Sequence, residues 1–146
     1  MRRPIVFRED RTNNCFGCGS DNPRGLRLSF IETDEGVEVE YSVPHHLEGA
    51  TGIAHGGVLA TVLDEAFCMT AYAKLETVVV TGELTVRYLK PVPTETPIIA
   101  RGRITENRGK SAFIEGGIYL ASTGEQLCRA HGRFFAMEGM DPTITP

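Results

Sequence analysis

The sequence predicts an α+β domain in which one curved antiparallel sheet of about six strands wraps one long central helix. Three observations carry this. Residues 57–74 hold apolar or small side chains on nearly every face, so the helix they form has no broad polar face and is enclosed. Alternating runs precede it at 26–30 and 37–43, and four strand-like runs follow at 77–89, 97–105, 111–120 and 126–137. The chain of 146 residues, 41% hydrophobic, is long enough to bury one core without disulfide staples.

In order, residues 1–25 are dense in turn formers (Asn13-Asn14, Gly17, Gly19, Asp21-Asn22-Pro23, Gly25) and read as an irregular lead segment against the domain surface. Leu26, Leu28 and Phe30, then the turn Asp34-Glu35-Gly36, then Val37, Val39, Tyr41 and Val43 read as a hairpin. The stretch 44–53 breaks the pattern with Gly49 and Gly52 and leads into the helix. The later runs are separated by Lys90-Pro91-Val92-Pro93, Asn107-Arg108-Gly109-Lys110 and Ser122-Thr123-Gly124-Glu125, each a turn sequence. The core domain therefore spans 26–137, and 138–146 is expected to be a flexible tail.

Composition excludes several classes. A net charge of −4 lacks the basic face that nucleic acid demands. No apolar run approaches a membrane span, and the start MRRPIVFRED has no secretory apolar core, so a cytoplasmic location is expected.

The segment AHGGVLATVLDEA, 54–66, sets Asp64 and Glu65 in an otherwise apolar helix. An ionised carboxylate in an enclosed place is costly unless it is partnered or used. Asp64 shares a helix face with the small residues Ala60, Thr61, Cys68 and Ala71, which leaves room for a ligand, whereas Glu65 lies about 100° round the helix. Asp64 is the preferred functional acid. His55-Gly56-Gly57 falls at the helix start, where unpaired N–H groups and the positive dipole end attract an anion. A free Gly56 N–H there could stabilise the oxyanion of acyl transfer. By pattern alone, a tight turn and the wet edge of a helix account for the same residues.

His55-Gly56-Gly57, Asp64 and the later VVTGELTVRYLKP (79–91) together resemble the hotdog-fold thioesterases of the PaaI-like and THEM-type group, over about 26–137. CFGCGSDNPRGL also looks like the opening of one bacterial subset. The resemblance implies a homodimer or dimer of dimers with each active site at a subunit interface. It implies hydrolysis of an acyl- or aryl-coenzyme A to free acid and thiol, with Gly56 as oxyanion donor, His55 holding that loop, and Asp64, from the partner subunit, as general base or nucleophile. Thr81 matches a Ser/Thr position that helps place the attacking water. No cofactor or metal is implied, coenzyme A being part of the substrate. Some members carry an asparagine six residues before the histidine; here that residue is Gly49.

Coenzyme A phosphates call for basic contacts. Arg108 and Lys110, flanking Gly109, are the candidates, the alternative being a solvated turn; Gly57, Glu65 and Ser111 complete the expected substrate contacts. RGKS is not a Walker loop, because Ile104 stands where its first glycine is required. No serine sits in a G-x-S-x-G frame. A hotdog hydratase or dehydratase would show a proline-containing H-F-P-G context, of which His46-Leu47-Glu48-Gly49 is a partial echo. A non-catalytic acyl-CoA-binding protein is the third reading. Cys15-x-x-Cys18 lacks a second cysteine pair, and His45 and His46 match no zinc-finger spacing, so a loop of reduced thiols is expected. Cys68 and His131 are read as packing residues.

Overall fold

The computed structural model describes residues 1–140 and the backbone of Ile144–Thr145. Its strands are β1 (Arg3–Pro4), β2 (Val6–Phe7), β3 (Ile31–Glu32) and β4 (Gly36–Ser42), followed by helix α1 (Gly56–Leu75). After the helix come β5 (Val79–Tyr88), β6 (Pro97–Asn107), β7 (Ser111–Leu120), β8 (Gln126–Ala136) and β9 (Ile144–Thr145). Seven strands form one sheet in the order β1-β3-β4-β6-β7-β8-β5, and β2 pairs with β9. Every pairing is antiparallel.

The sheet lays its inner face on α1. Leu59, Val62, Leu63, Ala66, Phe67 and Ala71 of the helix meet Val37, Val39, Ile98, Ala100, Ile114, Ile118 and Phe134 of the strands in one buried cluster. Phe67 and Phe134 pack edge to face at 6.0 Å. Thr70, fully buried, donates to the Ala66 carbonyl at 2.8 Å and accepts from Val37 N–H at 3.1 Å, so its hydroxyl is satisfied where β4 crosses the helix. The enclosed helix and the four strands that follow it are as the periodicity predicts.

The first hairpin differs. Leu26, Leu28 and Phe30 are buried alternately as expected, but only Ile31–Glu32 joins the ladder with β4. The backbone before it is engaged elsewhere: Leu26 and Leu28 N–H donate to the Phe16 and Gly17 carbonyls at 2.8 and 2.9 Å. The lead segment is thus a partner of this stretch, and Arg3–Pro4 even extends the sheet. Of the expected flexible tail 138–146, Ile144–Thr145 lies beside Val6–Phe7, and 141–143 and 146 fall outside the described residues. Among the described residues no helix is long and apolar enough to cross a membrane.

Candidate active site

His55 caps α1. Its backbone is extended (φ −62°, ψ 132°), and its Nδ1 accepts from Gly57 N–H at 2.9 Å. Val58 and Leu59 N–H go to the His55 carbonyl at 3.0 and 3.2 Å. Among the described residues no acceptor takes the Gly56 N–H, which remains as a donor at the positive end of a 20-residue helix. The Tyr88 hydroxyl donates to the Gly56 carbonyl at 2.6 Å and so holds this first turn against β5. Gly49 lies beside His55, with room for a Cβ at 3.7 Å from its ring.

Two turns further along, the half-buried Asp64 accepts from the Thr81 hydroxyl at 2.5 Å. Burial pushes the Asp64 acid above the ordinary aspartate value against the pull of that hydrogen bond. The Cys68 sulfur is 3.8 Å from Thr81 Oγ1, completing a small polar group between helix and strand.

A bulge makes these contacts compatible. In the β5–β8 ladder Thr81 faces Phe134 but Glu83 faces Arg133, so the register slips by one residue at Gly82. Before the slip Val79 and Thr81 point toward the helix; after it Leu84, Val86 and Tyr88 do. A Cβ at position 82 would lie 2.2 Å from the Phe135 ring, so a larger residue there has to displace that exposed side chain.

The other predicted residues are placed elsewhere. Glu65 turns away from Asp64 and accepts from the Cys15 thiol at 3.3 Å, and burial pushes its acid up to about 8. Arg108 is exposed, paired with Glu106 at 2.8 Å and stacked over Phe113 at 4.9 Å. Gly109 takes a left-handed turn (φ 79°), Lys110 is exposed, and the buried Ser111 accepts from Arg133 at 3.2 Å. Gly109 and Ser111 border a small cavity with Leu75 and Thr77, at the opposite end of α1 from Gly56. Arg108 and Lys110 are therefore remote from Gly56 within one chain. Tyr88 carries a contact that residue-by-residue reasoning missed, although it is the tyrosine of the quoted RYLKP.

Gly56 and Asp64 are eight residues apart on one helix, about 12 Å along its axis. One carbonyl carbon cannot lie about 3 Å from both. Within a single chain these two groups therefore do not meet at one carbonyl.

Residues 51–126 match the family model of the thioesterase superfamily. The chain belongs to this superfamily. Rat acyl-coenzyme A thioesterase THEM4 is 32% identical over 69 residues, 47% of this chain and 29% of the rat protein. MIOREX complex component 3 of Saccharomyces cerevisiae is 31% identical over 91 residues, 61% of this chain and 34% of that protein. The matches thus span about a third of these curated relatives. In fold, the thioesterase domain superposes on E. coli PaaI (TM-score 0.68, 19% identity, 75% of this chain and 83% of that one). It also superposes on a Bacillus halodurans protein solved with CoA (TM-score 0.71, 24% identity, 84% and 82%). These likenesses make the architecture the hotdog fold expected from the sequence.

Proposed function

We propose that the protein hydrolyses the thioester of an acyl- or aryl-coenzyme A, with each active site assembled from two copies of the chain. The observation that carries this is the separation of an unpaired Gly56 N–H from a hydroxyl-bound Asp64 on one helix. A second copy that brings its Asp64 opposite this Gly56 completes the pair. β5 offers the surface for it: this edge strand has no buried residue, and Val80, Tyr88, Leu89 and neighbouring Phe135 are exposed apolar groups.

In such a site the Gly56 N–H holds the thioester oxygen and stabilises the negative charge that develops on it. Asp64, oriented by Thr81, either takes a proton from water as it attacks or attacks the carbonyl itself and is released by water. In both routes the carbon–sulfur bond breaks, the thiolate leaves and is protonated, and water supplies the hydroxyl of the acid. Arg108 and Lys110 supply positive charge for coenzyme A phosphates, and in a two-chain site they contact substrate from the partner's turn. His55 fixes the glycine turn without touching substrate. No cofactor or metal takes part in these steps.

Subunit mixing tests the reading. Gly56→Pro removes the N–H at a first-turn position where proline is tolerated, its Cβ in ordinary contact with Tyr88 at 3.4 Å, and Asp64→Asn removes the base. Each homomeric variant should release little thiol from acyl-CoA. Co-expressed, the two should regain activity, because a mixed dimer contains one intact site. Folded, dimeric mixtures that stay inactive would refute the shared site. Wild-type protein releasing no thiol across short, long and aromatic acyl-CoAs would refute the activity.

A further inference from the structure

The stretch 13–28 has no ladder of its own, yet its backbone is closely bonded. Asn13 N–H donates to Asp21 Oδ2 at 2.7 Å, Cys15 N–H to Asn13 Oδ1 at 3.1 Å and Gly19 N–H to the Cys15 carbonyl at 2.8 Å. This organisation sets two thiols on one carboxylate of α1. The sulfurs of Cys15 and Cys18 and a Glu65 oxygen lie within 4.8 Å of one another, although Glu65 is 50 residues from Cys15 in sequence. The approach is so close that a Cβ on Gly17 would lie 2.2 Å from Glu65 Cγ. Any larger residue at 17 would have to push the Glu65 side chain out of its present place.

We propose that Cys15, Cys18 and Glu65 form a zinc site that clamps the lead segment onto α1, with the fourth position left to water or another exchangeable ligand. Two thiolates and a carboxylate make a donor set that favours zinc over calcium or magnesium. Tetrahedral zinc, with sulfur at about 2.3 Å and oxygen at about 2.1 Å, places ligand atoms about 3.5 to 3.8 Å apart. Cys15 and Glu65 stand 3.3 Å apart and all three groups lie within 4.8 Å, so small side-chain rotations reach that spacing, and a turn of cysteine, two residues, cysteine and glycine provides the bend between them. Neither His45 nor His46 belongs to the cluster, so the ligand set differs from a Cys2His2 finger and from a loop of reduced thiols. The clamp lies on the Glu65 side of the helix and plays no step in thioester hydrolysis. Its support is independent of that activity.

Elemental analysis of protein purified without chelator from zinc-supplemented culture should find about one zinc per chain. Cys15→Ser/Cys18→Ser should abolish it, and Glu65→Gln should speed its loss to a chelator. Cobalt-substituted wild type should show thiolate-to-metal absorption that the double variant lacks. In case the variants do not fold, wild-type protein stripped of metal gives a second measure. Added zinc should shield two of its four thiols from a thiol reagent and raise Tm. Three outcomes overturn the proposal: no shielding of the wild-type thiols, zinc retained by a folded double variant, or a Cys15–Cys18 disulfide in freshly isolated protein.

Discussion

The two sides of helix α1 differ in what covers them. On the Glu65 side the chain closes over itself: Gly17 presses against the glutamate and Cys15 donates to it. On the Asp64 side stands β5, ten residues long with none buried, whereas the equally long β7 buries Ser111, Ala112, Ile114, Gly117 and Ile118. Two adjacent acids are therefore held for different ends. Glu65 is enclosed by its own lead segment, and Asp64 is offered at an edge that its own chain leaves unfinished. The lesson is that two neighbouring acids on one enclosed helix are told apart by what covers each of them.

Removing the offered acid should break the contrast most strongly. Asp64→Asn should lower kcat at least about a hundredfold with the circular dichroism unchanged, because a positioned base contributes about 10² to 10⁴ in rate. Thr81→Val should follow with about a tenfold loss in kcat. It deletes a hydrogen bond to a charged group worth about 1.5 to 3 kcal/mol, part of which water replaces. Reversing Arg108 and Lys110 together should raise KM severalfold for acyl-CoA and leave KM for a short pantetheine thioester unchanged; equal effects would show that the turn does not meet the phosphates. The smallest effect sharpens the contrast. Tyr88→Phe leaves the edge apolar but frees the Gly56 carbonyl, costing about 1 kcal/mol of stability, read as a fall in Tm.

Much of this fold was legible because burial writes itself as periodicity. The helix predicted over 57–74 forms as Gly56–Leu75, and the strand predicted over 111–120 is Ser111–Leu120. Alternation states which face is buried but not which backbone is paired. Leu26, Leu28 and Phe30 show the right faces, yet two of their N–H groups serve Phe16 and Gly17 instead of a hairpin. In the site, His55, Gly56 and Asp64 stood out because a glycine pair and an acid are anomalous in an apolar run. The contact of Glu65 with Cys15 was not legible, because the two lie 50 residues apart with no periodic relation. Tyr88 escaped for a different reason: a strand of constant parity cannot direct both Thr81 and Tyr88 to one helix.

That parity break at Gly82 has a consequence for how the strand tolerates change. Substituting a residue of β5 alters one contact, and deleting Gly82 itself would leave both faces in place, because Thr81 and Glu83 already oppose the consecutive partners Phe134 and Arg133; deleting one residue such as Thr85, with the bulge kept, would turn the strand beyond it over. The tyrosine that steadies the amide turn would then face outward while the threonine that steers the acid kept its place. Chain length between the two is thus itself a determinant of the chemistry, and a shortened version could keep every important amino acid and still lose one arm of its site.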